Sequence, residues 1–242
     1  YYYDPMGRLE RTEKDGPQGV ITSSMQYDAA GRQIEQSQTG GGVSLTSRSS
    51  YDSAGRLETS EDAAGRITSY IYSTDGLTTS IIQPGGAVQT TTIYPDGRVK
   101  SITGSAVIPS YYEYGVSPDG SQWTKVSTGS PGSPRYQKST TDLLGRTIKT
   151  EPPGYGGTIV SPSHYNDKGQ LIRTTTTAQP DMLYEYDELG NQIVSGIDID
   201  GNGSLERASV DRITQSSSQY AKYDDNWWSE SRQQTYATVG SS

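Results

Sequence analysis

The 242-residue chain contains no cysteine and no phenylalanine. Disulfides therefore cannot staple it, and a thiolate metal centre is excluded. Its one histidine, His164, rules out a multi-histidine metal site and leaves a single imidazole for acid–base work. Apolar residues are scarce too, at 30% with a mean hydropathy of -0.74, closer to a solvated chain than to a packed enzyme. No run approaches the roughly 18 apolar residues of a membrane helix, and the first residues lack a charged-then-apolar signal pattern. Basic clusters are missing as well. A net charge of -8 and a pI near 4.7 argue against nucleic acid or an anionic membrane surface as partner.

What the chain has instead is 19 tyrosines, 3 tryptophans and many Thr, Ile and Val set at regular intervals. These are strand formers, and disordered tracts lack such spacing. One stretch, Tyr51-Asp52-Ser53-Ala54-Gly55-Arg56-Leu57, recurs around Asp4 and Gly7 and around Asp28 and Gly31. Looser copies place Asp62 with Gly65, Asp96 with Gly97, Asp142 with Gly145, Asp167 with Gly169 and Asp187 with Gly190. Asp followed three residues later by Gly fits a type I turn closed by a left-handed glycine bulge. The carboxylate accepts turn amides, and Gly reaches positive φ without the clash of a Cβ. Each copy is thus a predicted strand reversal, and these residues are the structural sites of the chain.

A second class of turn, rich in Gly and Pro, falls between these copies, as at Asp15-Gly16-Pro17-Gln18-Gly19 and Gln83-Pro84-Gly85-Gly86. Segments such as Thr68–Tyr72, Gln89–Tyr94 and Leu171–Thr177 alternate β-branched or aromatic residues with polar ones, as half-buried strands do. The predicted fold is all-β: tandem antiparallel hairpins making a sheet of on the order of nineteen strands. Open sheets rarely exceed about ten strands, so this one is expected to coil into a spiral shell, a barrel or a solenoid-like wall. Residues 1–242 read as a single array and, since the chain opens inside a repeat, as a fragment of a larger protein. Residues 101–138 read as degenerate repeats with longer loops, and 195–212 as an acidic insertion.

These motifs resemble the YD-repeat, or RHS-repeat, family over most of the chain. The resemblance implies hairpins assembled into hollow β-shells, as in bacterial RHS toxins, the cocoon subunits of Tc toxin complexes and the teneurin adhesion receptors. It implies a non-catalytic wall of a large secreted or cell-surface protein that encloses a cargo or displays a surface. Expected partners are then the remainder of the same polypeptide, neighbouring copies, an enclosed cargo or extracellular glycans. The core motif that precedes the cleaved toxin domain in toxin-type members is not found, since Asp4-Pro5-Met6-Gly7-Arg8 is followed by ordinary repeats.

Specific chemistry is sought in three places. Asp198, Asp200, Asn202, Gly203 and Ser204 follow the first half of a calcium loop, with hard oxygen ligands and a Gly at the bend. Ser209 stands where the bidentate Glu belongs, which leaves two readings open: a different Ca²⁺ site using Asp198, Asp200 and Asn202 with Glu206 or Asp211, and a solvated turn bonded to its own backbone. Trp227 and Trp228 are candidate glycan-binding residues, because neighbours on a strand face opposite ways and one is expected to be exposed. A polysaccharide lyase or hydrolase would rest on His164 beside Tyr165, or on Glu185 and Asp187. The repeated arginines are expected to pair with Asp or Glu of adjacent hairpins, and the tyrosines to pack on the next hairpin or beneath an Arg.

Overall fold

The structure is a computed structural model that describes residues 1–17 and 19–237. Residue 18 of the turn expected at 15–19 and the last residues of the array, 238–242, lie outside the described residues. Every regular element described is a β-strand, and the chain divides into two units, Tyr1–Tyr111 and Tyr112–Ser242.

The first unit is a meander in which each strand pairs antiparallel with the one before it. Its strands are β1 Tyr2–Tyr3, β2 Leu9–Gly16, β3 Gly19–Tyr27, β4 Gln33–Gly40, β5 Val43–Tyr51, β6 Leu57–Glu61, β7 Ile67–Tyr72, β8 Thr78–Ile82, β9 Val88–Ile93 and β10 Val99–Thr103. The start of β11, Ser110–Val116, completes it.

The second unit continues with β12 Gln122–Thr128, β13 Tyr136–Thr141 and β14 Thr147–Glu151. A small hairpin of β15 Pro153–Gly154 and β16 Gly157–Thr158 bulges out while β14 pairs on to β17 Ser161–Tyr165. Then come β18 Leu171–Thr176, β19 Gln179–Tyr186, β20 Gln192–Asp198, β21 Arg212–Tyr223 and β22 Asn226–Tyr236. Neither unit closes into a barrel among the described residues, because β1 pairs with β2 alone and β22 with β21 alone.

Thr and Ser account for the low hydropathy. Cross-strand hydroxyl pairs such as Ser50 with Thr59 (2.7 Å) and Ser80 with Thr90 (2.8 Å) sit where apolar pairs stand in other sheets. Among the described residues the buried apolar core is accordingly small: a cluster of Val194, Ile213 and Tyr236 with Ile193 and Leu205 packed against it, and Leu183 buried outside that cluster. Strand β20 supplies it by alternation, burying Val194, Gly196 and Asp198 while the residues between remain half-buried. That alternation carries a carboxylate, Asp198, to the edge of the core.

Candidate functional site

Two arrangements of aspartate organise the described structure: a seam of turns along one edge of each meander, and the acidic loop between β20 and β21.

In the seam each turn has one plan. Asp28 N–H donates to Arg32 O (2.9 Å) and Gly31 N–H to Asp28 O (3.0 Å), and the same pair of bonds recurs at Asp4, Asp52, Asp142 and Asp187. The glycines that close the turns have φ from 72° to 90°, the left-handed region. The carboxylate of Asp28 accepts the backbone N–H groups of Ala30 and Arg32 at 2.9 Å each and the Arg32 guanidinium at 2.6 Å. Asp52 and Asp142 repeat this set of contacts. Hydrogen bonding to the ionised form holds the carboxyls of Asp28 and Asp52 below the ordinary aspartate value of 3.8, with the backbone N–H of Arg32 or Arg56 the largest cause.

The arginines therefore pair within their own turn, which corrects the expectation of pairing with adjacent hairpins. Four residues of a tight turn bring Asp and Arg to one side. Pairs between strands do occur, as Arg48 with Glu35 (3.0 Å) and Glu61 (3.6 Å), but away from the turns.

The contact between hairpins is made by tyrosine. The Tyr27 ring lies under the Arg8 guanidinium of the preceding turn (4.7 Å), Tyr51 under Arg32 (4.6 Å), Tyr72 under Arg56 (4.3 Å) and Tyr165 under Arg146 (4.8 Å). Each phenol also donates to the carbonyl just past that arginine: Tyr27 to Leu9 (2.7 Å), Tyr51 to Gln33 (3.0 Å), Tyr72 to Leu57 (2.9 Å) and Tyr165 to Thr147 (2.8 Å). Tyr186 makes the same bond to Leu171 (2.8 Å) although Gln170 replaces the arginine. At the turns beginning at Tyr94, Ser117 and Asp142 the preceding residue is Ile93, Val116 or Thr141, so the tyrosine is absent there.

Two copies differ from the sequence reading, and a third lies on the other edge. At Tyr165–Gly169 the turn begins at Asn166, whose Oδ1 accepts from Lys168 (3.0 Å) and Gln170 (2.9 Å), and Asp167 occupies the next position. At Tyr94–Gly97 the turn begins at Tyr94, while Asp96 accepts from Arg98 N–H (3.0 Å) and pairs with its guanidinium (2.6 Å). In both, the rule of three residues to the glycine prevails over the choice of the nearest acid. The Asp62–Gly65 turn has the common plan but joins β6 to β7 on the opposite edge. Two further turns, Ser73–Gly76 and Ser117–Gly120, were missed; the Asp-Gly dipeptides in each were their signal.

The acidic loop spans 199–211. Asp198, 2% exposed, accepts the backbone N–H groups of Gly201 (2.8 Å), Asn202 (3.1 Å) and Gly203 (2.8 Å). Asp211, also 2% exposed, accepts those of Ile199 (2.9 Å) and Glu206 (3.1 Å). Burial works to raise the Asp211 carboxyl, yet those hydrogen bonds outweigh it and hold the group below the ordinary value. Carboxylate oxygens of Asp198, Asp200 and Asp211 lie within 4.8 Å of one another. Glu206, a candidate to complete the site, stands outside this trio of carboxylates and accepts from the Asn202 amide (3.1 Å). The trio fits a hard cation in donor chemistry, with all-oxygen ligands and two of them desolvated.

Trp227 and Trp228 are 69% and 58% exposed on β22. There β21 and β22 continue as a two-stranded ribbon beyond the four residues of β21 that β20 pairs, and Trp227 stands opposite Lys222 while Trp228 stands opposite Ala221. His164 is exposed on β17 opposite Arg173, while Glu185 and Asp187 line one open groove and Asn191 engages Asp187.

No curated protein matches the chain in sequence. Residues 51–88 match the RHS Repeat family. The fold is similar to a crystal structure of TcdB2-TccC3 (17% identity, TM-score 0.58, covering 88% of this chain and 13% of that one). It is also similar to one of TcdB2-TccC3-Cdc42 (15% identity, TM-score 0.56, covering 96% and 15%). Residues 51–88 thus match an RHS repeat, and the Asp, Gly and Tyr arrangement of that stretch recurs on either side of it, consistent with an RHS-, or YD-, repeat array.

Proposed function

We propose that the array is a load-carrying wall of a large secreted or cell-surface protein, without catalysis of its own, that encloses a cargo or holds out a surface. The observation that carries this reading is the tyrosine seam, which fastens each hairpin to the one before it through a ring contact and a hydrogen bond. Such fastening supports serial extension of a sheet with few buried apolar residues. Electron microscopy of the purified chain tests it. Sheet-like particles are expected, and their loss on replacing Tyr27, Tyr51 and Tyr72 together by Ala. Particles unchanged by that triple replacement would overturn the role of the seam, and turnover of a polysaccharide abolished by His164→Ala would overturn the non-catalytic reading.

Two readings of finer detail have their own support. Ca²⁺ at Asp198, Asp200 and Asp211 is favoured by the convergence of the three carboxylates; calorimetric titration with Ca²⁺ should give heat that Asp200→Ala, an exposed position, removes. Glycan display through the ribbon is favoured by the exposure of both tryptophans; glycan-array binding lost in Trp227→Ala or Trp228→Ala would support it.

A further inference from the structure

Asn202-Gly203 is the one Asn-Gly pair in the sequence, and both residues are exposed. The pair is chemically vulnerable in water. A glycine has no side chain to hinder its own nitrogen, so the Gly203 nitrogen can attack the Asn202 side-chain carbon. In that step the bond from Gly203 N to Asn202 Cγ forms and the bond from Cγ to Nδ2 breaks. Nδ2 leaves as ammonia with the proton released by the Gly203 amide. Water then opens the cyclic imide on either side, giving aspartate or isoaspartate.

The loop engages both nitrogens that take part in this reaction. The Gly203 N–H is donated to the buried Asp198 carboxylate at 2.8 Å. The leaving Nδ2 is donated to Glu206 (3.1 and 3.3 Å), and Oδ1 accepts the Ser204 N–H at 2.8 Å. The attacking amide must lose its proton, and the charge that builds up is negative. Asp198, Asp200 and Glu206 surround it with charge of the same sign, which opposes that transition state. A carboxylate hydrogen-bonded to the amide also stabilises the protonated ground state.

We propose that the acidic loop is a guard for Asn202-Gly203: it suppresses self-deamidation while folded, and the pair ages when the loop opens. The modification would then add a carboxylate facing Glu206 where an amide donor now stands. The inference concerns the cation-free loop and rests on its hydrogen bonds.

The test follows deamidation of the tryptic peptide that ends at Arg207 by mass spectrometry, at neutral pH with chelator present, in folded and in urea-denatured chain. The folded chain should react at least about tenfold more slowly, the factor given by one charge-assisted hydrogen bond that must break on the way to the transition state. Glu206→Ala, at an exposed position, should speed the folded reaction several-fold with circular dichroism unchanged. A folded rate equal to or above the denatured rate would overturn the proposal. So would a Glu206→Ala rate no faster than that of the parent chain.

Discussion

The turn aspartates and the loop aspartates do the same chemical task in opposite settings. Asp52 caps a four-residue turn with its side chain 21% exposed and an arginine at 2.8 Å. Asp198 gathers three backbone amides at 2% exposure, with no ion pair to a cation among the described residues. In the turns, charge is balanced by Arg and solvent, so each contact is modest and replaceable, as Asn166 illustrates by standing in for Asp. In the loop, backbone N–H groups hold a buried side chain, so its removal takes the acceptor from several donors at once. The difference lies in how many partners depend on one side chain.

The contrast can be broken most forcefully at Asp198. Asp198→Ala should cost at least about 3 kcal/mol in urea or thermal unfolding of the second unit, because three N–H groups lose their acceptor. A loss comparable to that of Asp52→Ala would erase the distinction. Next comes Gly55→Val. Gly55 has φ of +82°, and an added Cβ would sit 3.2 Å from Arg32 Nη1, so backbone strain and a displaced arginine combine. The expected loss is about 2 kcal/mol or more, above the ~1 kcal/mol of glycine's backbone freedom alone. An unchanged melting temperature would count heavily against the turn's importance.

Tyr51→Phe removes only the phenol bond to Gln33 and leaves the ring under Arg32, and should cost about 1 kcal/mol. Tyr51→Leu should cost more, and equal losses would show that the ring contact contributes nothing. The smallest change is expected from mild acid. The turn carboxyls titrate below 3.8 in the folded chain, so the stability they supply is present above that value and is lost only as pH falls further, through their folded values. Melting temperatures of the parent chain and of Asp28→Asn, converging only in strong acid, would check the sign.

Much of the strand and turn plan was legible because it is local. Asp and Gly three residues apart, with Tyr before and Arg after, specify a reversal without reference to the rest of the chain, and the fold follows from repetition. The misassignments at Asp167 and Asp96 arose where two polar candidates stood side by side and the glycine spacing was given less weight than the acid. The edge on which Asp62 turns depends on whether one strand or a hairpin separates it from Asp52, and both lengths suit the spacing. The acidic loop was visible as a run of oxygen donors, with Asp211 one of two candidates to complete it; the fold brings Asp211, and not Glu206, to Asp198 and Asp200. That pairing is set by where β20 and β21 meet, through Ile197 opposite Arg212.

The seam tyrosines named above all point one way. Tyr27, Tyr51 and Tyr72 each reach back to a carbonyl and a guanidinium already laid down earlier in the chain. A nascent polypeptide emerging from the ribosome therefore presents every receptor before its ligand. The lattice can be knitted row by row during translation, with no finished row waiting on one still to be made.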